Sequence, residues 1–545
     1  MPIEFSNNTR TNAIRELSKS QFDLLIIGGG ITGAGIALDA ASRGLKVALV
    51  EKNDFAFGTS SRSTKLIHGG LRYLKQLEFS LVKEVGSERA IVHKLAPHLV
   101  VPEKMLLPLY EKRGMGYWLT SIGLKIYDLL AGVKPEDQRK MLTRPQTLRQ
   151  ELLLKDHDVK GGAIYAEYRT DDARLTIEII KTAFEKGACI TNYCQVVDFI
   201  YENDVIIGVQ VKDLLTEATF SIKTKVVVNA TGPWVDELRE INHSKKGKRL
   251  HLTKGVHLVV DKDRFPVKQA IYFDVEDGRM IFAIPRGRIT YVGTTDTNYN
   301  DSKEEILATQ EDAVYIINAV NRTFPSVKLT LNDIESSWAG LRPLIHEEGK
   351  SASELSRKDE IFESDTGLIS IAGGKLTGYR KMAERIVDRV IKKSFPAKEQ
   401  KCFTDSILFT GSDFKNYGDV KNYIGALTIQ LRVIGLESMA GYLVGNYGKQ
   451  CEIILVRLKE NLEKDVDVAL AKAELWFCMK YEMVLSPADF LIRRTGMLYF
   501  NMPRLKKIKD ALLLELKNQL NWSEHEFEKE KALIEKAMEQ AVSFK

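Results

Sequence analysis

The stretch "FDLLIIGGGITGAGIALDAASRGLKVALVEK", Phe22 to Lys52, constrains this chain more than any other. An apolar run ends in three glycines, a segment of small and apolar residues at helical spacing follows, and a second apolar run comes next. That order predicts a β-α-β unit of about 30 residues opening a parallel α/β sheet. Gly28, Gly30 and Gly33 hold the G-x-G-x-x-G spacing at the strand-to-helix junction. There the first glycine suits a tight turn, the second lets backbone approach a pyrophosphate, and the third lets helix pack on strand. The helix N-terminus adds unpaired N–H groups and partial positive charge. Glu51, 18 residues beyond Gly33, ends the second run, where a carboxylate can take ribose hydroxyls. The pattern points to a dinucleotide and leaves NAD and FAD both open.

The next segment separates them. An NAD site is usually followed by an ordinary helix after its second strand. Here Glu51 leads straight into "NDFAFGTSSRSTKLIHGGLRYL", with five hydroxyls among Thr59 to Thr64 and the pair Gly69-Gly70 framed by His68 and Arg72. An extended polar loop of this kind suits FAD, hydroxyls toward phosphate and ring, glycines where the flat isoalloxazine approaches the backbone.

At 545 residues the chain is too long for one core, and two or three domains are expected. Net charge is only +6, which argues against a nucleic-acid binder and suits an anionic small substrate or an acidic membrane surface. Five scattered cysteines without a Cys-x-x-Cys fit neither a disulfide framework nor a zinc site, and a reducing cytosol suits them. The start of the chain has no apolar core like that of a signal peptide, and no apolar run is long enough to span a bilayer. Segments such as "GVHLVV", "AIYFDV" and "RITYVGTTD" predict an antiparallel sheet between about 250 and 335. Beyond about 396 the composition turns helical, with a capping box at Ser523 and Glu526. Leu119, Ile122, Ile126 and Leu129 form one face of an expected helix, read as a core face rather than a lipid contact. The basic run "RLKKIK", Arg504 to Lys509, reads as a solvated helix end or a contact for anionic lipid.

Seven further motifs stand in order: the Thr59 to Leu74 loop, "DDARL", "NATGPWVD", "TKGVHLVV", "VGTTDT", "AGLRPL" and "GGKLTGYRKMAE". Together with the fingerprint they resemble the FAD-dependent, aerobic bacterial glycerol-3-phosphate dehydrogenase family, from about Phe22 to about residue 395, and more loosely through "ADFLIRRTG". The resemblance implies an α/β architecture: a glutathione-reductase-like FAD-binding Rossmann domain, an antiparallel-sheet substrate domain and a helical C-terminal domain. The expected boundaries are an N-terminal extension over 1–21, a discontinuous FAD domain over 22–95, 165–250 and 336–395, a substrate domain over 96–164 and 251–335, and the helical domain over 396–545. It implies oxidation of glycerol 3-phosphate to dihydroxyacetone phosphate, electrons passed to a membrane quinone, and a cytoplasmic enzyme lying peripherally on the inner face of the membrane, often as a homodimer. Carried over position by position, FAD contacts are Gly28, Gly30, Gly33, Glu51, Ser60, Ser61, Lys65, Gly70, Thr231, Gly374 and Lys375. Substrate contacts are Arg72, Tyr73, His257, Arg342, Arg357 and Lys375, with His257, Arg342 and Lys375 catalytic; Arg357 aligns by position more than by pattern.

The chemistry of these residues fits that reading. Oxidising a secondary alcohol removes a hydride from carbon and a proton from oxygen. Arginine suits a phosphate through its bidentate fork, and a neutral imidazole suits the proton. On sequence alone a hydrogen-bonded core histidine fits His257 as well, a structural salt bridge fits Arg342, a solvated turn lysine fits Lys375, and His68 reads as packing beside the flavin. Three rivals share much of the pattern: a glycerol-3-phosphate oxidase using oxygen, an amine oxidase of the sarcosine or D-amino-acid oxidase type, and a non-catalytic flavin-binding protein. The lack of an extra segment between "GTTDT" and "AGLRPL" favours the dehydrogenase over the oxidase. Paired arginines favour a phosphate over a carboxylate.

Overall fold

The computed structural model describes residues 2–68, 79–111, 116–130, 138–156, 158–346 and 359–544. The expected site residues Gly70, Arg72, Tyr73 and Arg357 lie outside the described residues.

The fingerprint unit forms as its sequence predicts. Strands Gln21–Ile27 and Val47–Val50 pair in parallel around helix Ile31–Ser42, and both are buried on two faces, as their unbroken apolar runs require. Among the described residues the first sheet has eight strands, with the main order Asp359–Glu363, Ile369–Gly373, Thr219–Asn229, Gln21–Ile27, Val47–Val50, Cys189–Thr191. Its centre is parallel, and the hairpin Cys194–Glu202 with Val205–Asp213 extends one side through antiparallel pairing to Thr219–Asn229. Helices Asp172–Glu185 and Tyr379–Ser394 pack against the fingerprint helix and bury Ile177, Ile180, Met382, Ile386 and Val387 with it.

The second sheet is mostly antiparallel and has ten strands among the described residues. Its long strand Leu250–Asp261 is flanked by Ile289–Gly293 on one side and Ile334–Ile345 on the other. Two expected boundaries fall inside strands of this sheet. Ile334–Ile345 pairs here rather than with the nucleotide sheet, so position 336 lies within it. Val159–Arg169 pairs with Val101–Tyr110, so position 165 does too. Strand pairing, which composition does not reveal, sets these edges.

Residues 1–21 are more than an extension. Helix Asn7–Lys19 starts on a Ser6/Thr9 capping box, and its buried Arg10 pairs with Asp213 at 2.6 Å. Phe5, 1% exposed, exchanges backbone hydrogen bonds with Lys480 and Met483 of the helical domain, at 3.0 and 2.8 Å. That domain is a bundle of helices between Tyr417 and Gln540 around Leu443, Ile454, Leu470, Phe477, Leu505 and Leu512. The Ser523/Glu526 capping box opens its last helix, Glu524–Gln540.

One helix reading is corrected and another is refined. In helix Gly116–Leu130 the side chains of Leu119 and Leu129 lie outside the described residues; among the others Thr120, Leu124, Tyr127 and Asp128 are buried, while Ile122, expected on the core face, points outward at 55% exposure. Tyr127 fixes this rotation, because its hydroxyl donates to the buried Glu167 at 2.9 Å. In the "RLKKIK" run, Arg504 is nearly buried and pairs with Asp467 at 2.7 Å, and Lys507 and Lys509 pair with Asp465 and Glu535. Lys506 and Lys507 nevertheless remain exposed, as a solvated helix end requires.

Candidate active site

The glycine turn is dictated by contact as well as by dihedral. Gly28 has φ +114°, and a Cβ on it would lie 2.7 Å from the Ala230 carbonyl oxygen. A Cβ on Gly33 would fall 1.9 Å from the Gly28 carbonyl oxygen, so helix and turn touch backbone to backbone. Above this junction opens a cavity between the two sheets. Its walls include Gly28, Gly30, Glu51, Ser60, Thr231, Gly374 and Lys375 from the nucleotide side, and His257 and Arg342 from the second sheet.

Each nucleotide-side residue is held by its own element. Ser60 Oγ accepts the Ile31 N–H at 2.9 Å, which sets a hydroxyl at the N-terminus of the fingerprint helix. Glu51 accepts N–H groups of Gly29 at 2.6 Å and Asn53 at 2.9 Å; removal from water raises its pKa against these bonds. Thr231 donates its hydroxyl to Asn229 Oδ1 at 2.7 Å, and Asn229 in turn donates to Val235 O and Ser370. Gly373 and Gly374 have φ +78° and +79°, and Lys375 follows as the cap of the short turn Leu376–Gly378. A helix N-terminus, an acid at the end of the second strand and glycine-lined backbone suit a dinucleotide.

Three expected FAD contacts stand elsewhere. Gly33 packs beneath the turn, as its role requires. Ser61, 1% exposed, turns its hydroxyl to the carbonyls of Phe57 and Gly58 at 3.4 Å. Lys65, 2% exposed, does not line the cavity: its ammonium bonds to Asp172 at 2.5 Å and to the Ser61 carbonyl at 3.1 Å. Asp172 lies 107 residues along the chain, so spacing in the sequence gave no sign of the pair.

The substrate wall is built on Leu250–Asp261. Gly255 and His257 lie two apart on that strand, so both face the cavity. His257 pairs across with Trp338 on one side and Gly293 on the other. Its ring stacks on Trp338, centroids 4.8 Å apart and planes 12° apart, and is 1% exposed. Burial, then the nearby charges of Arg342 and Lys65, push its pKa well below the usual imidazole range, so it is neutral. Arg342 reaches over Gly255: a Cβ there would lie 2.2 Å from its Nη2. The guanidinium donates to Thr294 Oγ1 at 2.9 Å and Thr295 O at 3.2 Å, and meets Asp296 at 3.3 Å. His68 lines the cavity too, its ring 6.0 Å from Phe282.

Sequence reasoning missed Thr64, Gly255 and Trp338. Thr64 Oγ1 sits 3.0 Å from His257 Nε2. The Thr59–Ile67 segment lies against strand Ile334–Ile345, with the Thr59 hydroxyl donating to Leu341 O at 2.7 Å and Trp338 Nε1 to Ser63 O at 3.1 Å. The motifs "TSSRST" and "AGLRPL" are thus two sides of one contact, a relation only the fold displays. "DDARL" proves to be support: Asp171 caps helix Asp172–Glu185 and pairs with Arg286 at 2.9 Å, while Asp172 holds Lys65.

Comparison with known proteins identifies the family. Residues 23–380 match the family of FAD dependent oxidoreductases, and residues 402–527 match the C-terminal domain of alpha-glycerophosphate oxidase. The aerobic glycerol-3-phosphate dehydrogenase of Bacillus subtilis is 50% identical over 99% of both chains. That of Staphylococcus aureus is 49% identical over 99% of this chain and 98% of the other. Among solved structures, the glycerol-3-phosphate dehydrogenase from Bacillus halodurans complexed with FAD superposes with TM-score 0.85 at 44% identity, covering 99% of this chain and 98% of that one. An L-alpha-glycerophosphate oxidase from Mycoplasma pneumoniae shares the fold at TM-score 0.56 and 19% identity, over 68% of this chain and 95% of its own. The chain belongs to the FAD-dependent aerobic glycerol-3-phosphate dehydrogenase family.

Proposed function

We propose that this protein oxidises glycerol 3-phosphate to dihydroxyacetone phosphate and passes the electrons to a membrane quinone, in glycerol catabolism. The observation that carries the reading is one cavity lined by both the dinucleotide fingerprint and the trio His257, Arg342 and Lys375. Gly30, Ser60, Glu51, Thr231 and Gly374 hold FAD, which supplies the hydride acceptor when bound. Arg342, with Arg72 and Arg357, binds the substrate phosphate through charge-assisted hydrogen bonds. Lys375 steadies the alcohol oxygen, and His257 takes its proton, as a neutral imidazole can. The enzyme works peripherally on the inner face of the cell membrane. No helix among the described residues is long and apolar enough to cross a membrane.

Two measurements on the purified flavoprotein test this. Glycerol 3-phosphate should bleach the flavin without oxygen, and a quinone analogue should restore the colour quickly. In air, hydrogen peroxide should form far more slowly than substrate is consumed with quinone. Peroxide formed at the full rate of oxidation would make the enzyme an oxidase; an unbleached flavin would remove the substrate.

A further inference from the structure

His257 is gripped on both faces. Trp338 stacks on one, and on the other a Cβ at Gly293 would lie 2.3 Å from the ring carbon Cδ2. Of its two nitrogens, Nδ1 is buried and has no hydrogen-bond partner among the described residues. Nδ1 therefore presents no accessible surface to the cavity. Nε2 faces Thr64 Oγ1 at 3.0 Å, and Thr64 is half-buried and lines the cavity. Thr64 thus joins the cavity wall to the imidazole through one hydroxyl.

The backbone around Thr64 is pinned. Tyr291 donates to the Thr64 carbonyl at 3.1 Å, Asp172 accepts the Ser63 N–H at 2.9 Å, and the Thr170 N–H is donated to the Lys65 carbonyl at 2.9 Å. A side chain on such a segment keeps its aim, which a proton path of two short bonds demands.

We propose that Thr64 is a further catalytic residue, relaying the proton of the substrate alcohol to His257 Nε2. The inference rests on the reading of His257 as the final proton acceptor. The step balances within the protein. The alcohol O–H bond breaks and its proton passes to Thr64 Oγ1, while the Thr64 hydroxyl proton passes to Nε2, leaving threonine neutral and imidazole charged. FAD, when bound, would supply the acceptor for the hydride. The relay requires a resting imidazole whose proton is on Nδ1 and whose lone pair, on Nε2, accepts from Thr64.

Holoenzymes of wild type, Thr64→Val, Thr64→Ser and His257→Gln decide the matter. Valine keeps the shape of threonine and loses the hydroxyl; serine keeps the hydroxyl. Thr64→Val should lower kcat by about 100-fold or more, the usual scale of acid–base assistance, with FAD content and Tm unchanged. Thr64→Ser should retain most of kcat. Nitrogen-15 spectra of the imidazoles, with the His257 signals assigned by their loss in His257→Gln, should show the Nδ1-protonated form, and Thr64→Val should shift the Nε2 signal. A Thr64→Val enzyme at near wild-type kcat beside a crippled His257→Gln would overturn the relay and leave the acceptor reading standing. A resting proton on Nε2 would overturn it as well, and so would equal losses in the valine and serine variants with falling FAD content. Full activity in His257→Gln would remove the acceptor reading itself.

Discussion

Arg494 and Arg342 both stand just beyond short apolar runs, in "FLIRRTG" and "AGLRPL", and the structure places them in different settings. Arg494 is 0% exposed, and its guanidinium forms a two-pronged bond to Asp54 at 2.7 and 2.8 Å. Its neighbours continue the pattern: Arg493 bonds Asp54 and Asp489 at 2.5 and 2.6 Å, and Arg174 bonds Glu482 at 2.6 and 2.9 Å. Arg342 keeps 21% of its side chain exposed, lines the cavity, and makes its shorter described bonds to the neutral oxygens of Thr294 and Thr295. Paired, desolvated charge fixes domains to one another. Arg342 stands instead at the cavity wall, partly exposed and bonded to Thr294, Thr295 and Asp296. Asp54 stands three residues beyond Glu51, so the helical domain grips the chain just where it leaves the second strand for the cavity loop.

The comparison breaks most easily at Arg494. Arg494→Met would leave Asp54, whose pKa Arg494 and Arg493 hold low against burial, with only Arg493 and the Asn192 amide as side-chain partners. Breaking one side of a buried pair costs about 3–5 kcal/mol. Denaturant unfolding should show a loss of that order, with docking of the helical domain failing first. A loss below about 1 kcal/mol, the level of an ordinary surface change, would mean that the network is decoration.

At Arg342 the effect should move from stability to catalysis. A charge-assisted hydrogen bond contributes about 1.5–3 kcal/mol, so Arg342→Ala should lower kcat/KM for glycerol 3-phosphate about ten- to a few hundred-fold. Tm and FAD content should hold, and the poor activity on free glycerol should hardly change. Arg342→Lys should recover only part, because an ammonium cannot form the fork. Equal losses on both substrates would place Arg342 with Arg494 as a structural arginine.

How far the sequence displayed these differences depends on the range of the interaction. The fingerprint turn, the helical spacing after it and the cap at Ser523 are local, and local patterns determine them. The antiparallel character of the second sheet was visible in alternation, but its edges were not, because Ile334–Ile345 and Val159–Arg169 are claimed by partners far along the chain. The site shows the same division. Glycines forced by backbone contact, such as Gly28, were legible. Lys65 was not, since the carboxylate that takes its charge sits on a helix 107 residues away. Thr64 was hidden as one hydroxyl among five, and only the His257 ring opposite it singles it out. Ile122 faced the wrong way in the reading because several apolar stripes compete on one short helix, and the buried hydrogen bond from Tyr127 selects among them.

The finest test of the comparison is Gly255. Its backbone is hydrogen-bonded within a sheet, opposite Gly340, and its φ is not in the left-handed region, so alanine is allowed by dihedral. Space is the objection: the new Cβ would lie 2.2 Å from Arg342 Nη2, 2.6 Å from its Cζ and 2.6 Å from Thr294 Oγ1. A backbone held in a long ladder with Ile334–Ile345 yields little, and the end of an arginine yields easily, so the guanidinium must move. If Arg342 holds the phosphate, Gly255→Ala should misplace the fork and raise KM for glycerol 3-phosphate, lowering kcat/KM by about three- to tenfold, less than removal of the arginine. Stability should change by under about 1 kcal/mol, and FAD should stay bound. The decisive measurement is the double variant. In an Arg342→Ala background the added methyl has no guanidinium to displace, so Gly255→Ala should then have almost no effect on kcat/KM, a non-additivity expected of residues in contact. Additive losses would show that Gly255 serves strand packing alone, and that the aim of Arg342 is set by Thr294 and its other neighbours.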